Sequence, residues 1–273
     1  QVGRYDFVTF FLIQKRSNIS VVKPCIRENR SFVPPKRENY NPVQNSYKAL
    51  WSELSELSGA ITTMSVIRRI LEYYFLLAMH TENYINAAGI FIKVVNHPRF
   101  VYTSEERKEK WKIFESYINY IFETENLDRD LLASDPTKRK FRLLKFLNEV
   151  PNFTKDKKGY NVSILVIQII YMLEKGELTG IINRSEALNV YCSRYLRKDD
   201  SYRSSCFLKM LLTMVKEDFV YDRTKQMAQK YLRKMQEGDP NGNNMVNEWE
   251  IIPYEILWEK VLNRLKHKPA TRI

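Results

Sequence analysis

Val162-Ser163-Ile164-Leu165-Val166-Ile167-Gln168-Ile169-Ile170-Tyr171-Met172-Leu173 is the stretch whose reading decides the fold. Ten of its 12 residues are apolar, and only Ser163 and Gln168 interrupt it. A bilayer-spanning helix needs about 20 such residues, so this one is too short to cross. A surface helix would show a broad polar side, and none remains here. The stretch therefore reads as the central helix of a packed array, covered by neighbours on most sides, with Ile167 fully buried.

Working outward, residues 152–160 form a basic loop, and Leu143 to Leu147 belongs to a helix closed by Pro151. Thr103-x-x-Glu106 has the form of a capping box. It opens a helix with a buried stripe of Trp111, Phe114, Ile118 and Ile121. Earlier helices are expected over about Thr62 to Met79 and Tyr84 to Val95, the latter followed by Pro98. Asn41-Pro42 starts another, striped by Tyr47, Leu50, Trp51, Leu54 and Leu57 and stopped at Ser58-Gly59. On the other side, helices are expected near 185–197, 203–217 and 221–236. A loop at 238–244 and a short extended piece from Trp249 to Ile252 lead to a last helix, started by Pro253 and striped by Leu257, Val261 and Leu265. Only residues 7–26 read as strands. Phe7 to Ile13 is β-branched and aromatic, Ser17-Asn18 offers a turn, and Ile19 to Val22 follows, which is a β-hairpin pattern. Residues 27–41, with Pro34-Pro35, read as a linker. The expected fold is mainly α: a short β-hairpin element, then about ten helices as stacked antiparallel hairpins in an α-solenoid.

The chain has 273 residues, 44% of them apolar and 28% charged, as in a soluble globular protein. Eight glycines and ten prolines are few for a turn-rich all-β fold. Those glycines form neither G-x-x-x-x-G-K-[ST] nor G-x-G-x-x-G, so no phosphate cradle of either kind is present. Cys25, Cys192 and Cys206 are odd in number and widely spaced, with no C-x-x-C. His80, His97 and His267 are isolated and read as structural, and they complete no usual zinc spacing. No metal, cofactor or catalytic residue is therefore expected. The cysteine usage points to a reducing cytosol. No charged segment followed by a clean apolar one reads as a signal peptide.

Lys plus Arg is 44 against 32 for Asp plus Glu, a formal charge of +12. Such a surplus permits contact with nucleic acid or anionic lipid. It is spread along the chain, with 11 basic and 6 acidic residues in 1–75 and 33 and 26 in 76–273. The densest run, Lys138 to Lys158, includes Lys138, Arg139, Lys140, Arg142 and Lys145. Its readings are a solvated helix end plus loop, or a polyanion contact. Arg194, Arg197, Lys198 and Arg203 surround the turn at Asp199-Asp200 and are candidates for the same role. Ser204-Ser205-Cys206 reads as a helix entrance with a buried thiol.

Asn83-Tyr84-x-x-Ala87-x-x-x-Phe91, followed by Pro98, resembles part of a tetratricopeptide unit. Lys175-Gly176-Glu177-Leu178, continuing to Glu186-Ala187-Leu188, resembles a weaker copy. The 94-residue offset between Asn83 and Glu177 is no clean multiple of about 34, so the repeats are degenerate or interrupted. From about Phe75 onward the chain also resembles uncharacterised bacterial helical-repeat proteins. His97-Pro98-x-Phe100, Glu109 to Glu115, Tyr191 to Asp200 and Glu250 to Glu255 carry that likeness. Residues 1–75 resemble something else. Phe10 to Ile13, Asn41-Pro42-Val43-Gln44-Asn45-Ser46-Tyr47-x-x-Leu50-Trp51 and Arg68 to Phe75 are similar to the end of an ABC-type ATPase head, of the kind associated with the bacterial anticodon nucleases PrrC and RloC. The likeness begins after that family's catalytic parts. No phosphate loop or acidic metal-binding strand can be carried over, so ATP hydrolysis is not implied. The two likenesses meet near Glu72 to Met79, through a natural fusion, a relic after deletion or a joining artefact.

These readings divide the chain into an ATPase-head-like segment, 1–75, and a helical-repeat domain, 76–273. They imply a non-enzymatic interaction module of a bacterial cytoplasmic protein, with another protein as partner and no membrane contact. The alternative is a remnant or subunit of an ATPase-linked nuclease or defence system that binds tRNA or another nucleic acid.

Overall fold

The computed structural model describes residues 61–127, 146, 160–195, 202–238 and 250–267. Eight α-helices run through them: α1 (Ile61–His80), α2 (Tyr84–Val95), α3 (Glu105–Thr124), α4 (Tyr160–Lys175), α5 (Leu178–Tyr195), α6 (Tyr202–Lys216), α7 (Tyr221–Glu237) and α8 (Tyr254–His267). Helix takes 86% of the described residues, far above the usual third, and no strand occurs among them. The described part is mainly α. The hairpin expected over 7–26, the linker over 27–41 and the helix after Asn41 lie outside the described residues. So does most of the stretch from Lys138 to Lys158, of which Phe146 alone is described, helical and buried.

By its contacts the chain divides after Tyr73. Of the first part only Ile61–Tyr73, a portion of α1, is described. All packing below concerns Tyr74–Ile273.

α2 is opened by Asn83, whose side-chain oxygen accepts the Asn86 N–H at 3.4 Å. Ala87 and Ala88 are buried and small, which lets α3 approach α2 closely. An aromatic cluster fills the layer. The Phe75 ring stacks on Phe114 at 4.6 Å between centroids, and Trp111 stands edge-on to both, at 5.7 Å and 5.2 Å. Offset and edge-on pairs of this kind add about 0.5–1.5 kcal/mol each beyond burial. The expected stripe of Trp111, Phe114, Ile118 and Ile121 is buried throughout.

α4 is covered on nearly every side. Val162, Ile164, Val166, Ile167 and the whole run Ile169 to Leu173 are buried, Ile167 completely. Two positions inside its apolar run are tied to neighbouring helices. Tyr117 donates to the Ser163 carbonyl at 2.8 Å, and Arg184 donates to the Gln168 side-chain oxygen at 2.8 Å. α4 touches α3, α5 and α8. α5 packs on α6 and α6 on α7, each on its neighbour in sequence, while α8 turns back onto α4 and α6 as well as α7.

Three local expectations need correction. α5 begins at Leu178, not near 185, because Gly176 (φ +75°) turns the chain sharply and the Glu177 N–H closes onto the Met172 carbonyl. Helix can therefore resume two residues later. At Thr103 the capping box is not used. The residue closes a 3-10 turn at Pro98–Tyr102, its hydroxyl finds no hydrogen-bond partner among the described residues, and Ser104 takes the N-cap position without a side-chain bond. Finally, Glu250–Pro253 is bent rather than extended, and α8 starts at Tyr254 with the Pro253 carbonyl accepting the Leu257 N–H.

Candidate functional site

The most concentrated polar chemistry among the described residues sits where α6 and α8 begin and α1 ends. Arg203, in the first turn of α6, is fixed by five acceptor atoms. Its Nε and Nη2 reach the two Glu250 oxygens at 2.9 and 2.7 Å, and Nη2 also reaches the Glu255 carboxylate at 2.8 and 3.0 Å. Nη1 donates to the Met235 carbonyl at 3.3 Å, at the end of α7. Glu250 is 1% exposed, so its charge is almost wholly removed from water. One of its oxygens also accepts the Tyr254 N–H at 3.1 Å, which places a carboxylate at the N-terminus of α8, where the helix dipole favours it. The His80 ring nitrogen Nε2 is hydrogen-bonded to the Glu250 carbonyl, tying the last residue of α1 to the same point. Beside them the Ser204 hydroxyl meets that of Tyr254 at 3.0 Å, and the Phe207 and Tyr254 rings stack at 4.4 Å.

The electrostatics follow from burial and pairing. Burial opposes the Arg203 charge, but the hydrogen bonds and charge of Glu250, then those of Glu255, outweigh it and hold the guanidinium protonated more firmly than usual. Burial also pulls His80 below the usual imidazole range, against the opposing pull of the Glu250 carbonyl and carboxylate. Arg203 makes its bonds to Glu250 as a two-point fork, and its remaining polar nitrogens have acceptors too. The arrangement clamps three separated segments, residues 80, 203 and 250–255, with all three guanidinium nitrogens of Arg203 engaged inside the fold.

A second polar cluster lines an open cleft of about 1150 Å³ at the C-terminal ends of α3, α4 and α8. Lys260 pairs with Glu125, Arg264 with Glu174 at 3.5 Å, and Tyr120 donates to Glu174 at 3.5 Å. Cations from α8 thus meet the negative ends of three helices and the acids beside them. Burial raises Tyr120, with the Glu174 charge adding to the effect. The cleft is charge-balanced by its own walls.

Of the residues singled out in the sequence as polyanion contacts, Arg203 is the one whose side chain is described, and it is held by Glu250 and Glu255. Lys138, Arg139, Lys140, Arg142, Lys145, Arg197 and Lys198 lie outside the described residues. Arg194 falls within α5, with nothing to say of its side chain. Cys206 is buried in α6, as expected of a helix entrance with a buried thiol. Burial raises its thiol and pushes that of Cys192 up to about 11, so neither is a thiolate at neutral pH. Among the described residues no group of His, Cys, Asp and Glu is placed to hold a metal ion, and no helix is long and apolar enough to cross a membrane. The Glu250 clamp escaped sequence reasoning because its partners lie 47 and 170 positions away.

No protein-family model, curated protein or solved structure matches the chain.

Proposed function

We propose that this chain works as a non-enzymatic helical-repeat interaction module of the bacterial cytoplasm, holding another protein. The observation that carries the reading is serial packing. α2 lies on α3, α3 on α4, α4 on α5, α5 on α6 and α6 on α7, a serial order that stacked helical hairpins share, and only α8 departs from it among the described helices, by folding back onto α4 and α6 as well as α7. The likeness of Asn83 to Phe91 to a tetratricopeptide unit points the same way. The interior ionic groups support it too, since Arg203, Glu250 and His80 are committed to holding helices together. The candidate contact is the turn between α2 and α3. There Val101 and Tyr102 are 71% and 85% exposed, on a connection of the kind that often carries binding residues. Tyrosine is also among the residues that dominate protein interfaces.

The test is a photo-crosslinking amino acid at position 102 in living cells, with position 112, exposed on α3, as the control. One discrete protein adduct specific to position 102 supports the reading. Identical patterns from both positions would sink it, as would circular dichroism below about 40% helix, close to the ordinary background. A second reading is a nucleic-acid-binding subunit of an ATPase-linked nuclease or defence system. It is favoured by the +12 charge and by Lys225, Lys230 and Arg233 of α7, which meet no carboxylate among the described residues.

A further inference from the structure

We propose that the outer face of α7 is a contact surface for double-stranded DNA, with the helix lying in the major groove. This deepens the second, nucleic-acid-binding reading, on which it rests, and does not depend on the protein-binding one.

α7 is one-sided. Thr224, Ala228 and Met235 are buried against the neighbouring helices, whereas Asp222, Lys225, Gln226, Lys230 and Arg233 are exposed and line one open groove with Gln229. Among the described residues the cations of this groove meet no carboxylate, which is also true of Lys112 and Lys175; what sets them apart is that they gather on one exposed helix face with Gln226 and Gln229. Among the described residues, Lys108, Arg203, Arg223, Lys260 and Arg264 each meet an acid. Lys225 and Lys230 instead lie over the Tyr221 and Tyr231 rings, at 5.6 and 4.9 Å, Lys225 also donating to the Tyr221 hydroxyl at 3.4 Å, and both side chains are exposed. The helix dipole accounts for Lys234, in the last turn, but not for Lys225 and Lys230.

The arrangement around the helix gives the ligand. At 3.6 residues per turn, Lys225 and Lys230 stand about 140° apart, with Gln226, Gln229 and Arg233 on the ridge between them. Along the axis, Lys225 and Arg233 are separated by about 12 Å. Lysines on both flanks suit phosphates on both walls of a groove. Glutamine and arginine on the ridge are side chains that can bond base edges from the major groove, which is about 12 Å wide and admits an α-helix. Asp222 is the one acid in the groove, and it sits in the first turn, where the dipole favours it. An anionic membrane fits less well. A helix lying on a bilayer inserts its apolar side, and here that side is already packed against α6. A-form RNA fits less well too, because its major groove is too deep and narrow for side chains to read.

The experiment is fluorescence anisotropy of the full chain with a labelled 20-base-pair DNA duplex at 50 and 200 mM salt. Two phosphate contacts, from Lys225 and Lys230, imply about a 12-fold loss of affinity over that range. The triple variant Lys225→Gln, Lys230→Gln, Arg233→Gln should bind at least about tenfold more weakly at 50 mM, with a flattened salt slope. A control of equal charge, Lys112→Gln, Lys175→Gln, Lys266→Gln, should stay within about threefold of the unaltered chain, since binding depends on position and not only on total charge. Equal losses in both triples overturn the proposal. So does unaltered affinity in the α7 triple, or no duplex binding at 50 mM. Tighter binding to tRNA, or to vesicles rich in phosphatidylserine, than to the duplex also overturns it.

Discussion

α4 and α7 have nearly the same length, 16 and 17 residues, and opposite surroundings. α4 is buried all round, and its few polar groups are answered within the fold, Gln168 by Arg184 and the Ser163 carbonyl by Tyr117. α7 is buried along a strip of Thr224, Ala228 and Met235, and it turns Lys225 and Lys230 outward with no acid to meet them among the described residues. The difference teaches where polarity is structural and where it is available. Arg203 lies in a clamp closed by two carboxylates and helps hold three segments together, while Lys230 is held by nothing stronger than a ring face.

The largest effect should come from breaking the covered side of that comparison. Ile167→Asp puts a carboxylate into a site with no partner for it, at a cost of about 4 kcal/mol or more. Met227→Asp, on the exposed side of α7, should stay within about 0.5 kcal/mol. Equal melting of the two variants by circular dichroism would mean that α4 is not central.

Next in size is the clamp. Glu250→Ala leaves Arg203 partly buried with only Glu255 to meet it and removes the carboxylate from the start of α8. The expected cost is about 3 kcal/mol, read from the urea midpoint. A change below about 0.5 kcal/mol would show that the buried pair adds nothing net.

His80 should give a smaller, pH-dependent effect. Burial lowers its folded pKa below 6.5, so the unfolded chain takes up the proton more readily. Its contribution is complete above about pH 6.5 and declines as pH falls from there through the lower folded value. The decline is at most about 1.4 kcal/mol per pH unit. His80→Gln should therefore flatten the fall in melting temperature between pH 7 and pH 5. An unchanged slope would rule out His80 as its source.

The helices were legible in sequence where apolar spacing is strong and local. Val162 to Leu173, Tyr84 to Val95 and the stripe from Trp111 to Ile121 needed no distant partner to be read. Boundaries failed where a single backbone torsion decided them, as at Gly176, or where a 3-10 turn took a residue that looked like a cap, as at Thr103. The site was far less legible. Arg203 was singled out as a polyanion contact because its own neighbourhood is basic, and the acids that hold it arrive from 47 and 52 positions later. α7 was read as a helix, but its outward charge emerged only once the structure showed which side is covered and which cations go unpaired.

The most direct test of this division of labour measures two properties on two variants. Arg203→Ala should lower the melting temperature by several degrees, about 2–4 °C per kcal/mol for a domain of this size, and leave duplex DNA affinity at 10 °C within twofold. The α7 triple Lys225→Gln, Lys230→Gln, Arg233→Gln should melt within about 2 °C of the unaltered chain and lose at least about tenfold in affinity. The account is contradicted if Arg203→Ala weakens DNA binding without lowering the melting temperature, or if the triple loses stability and keeps its affinity.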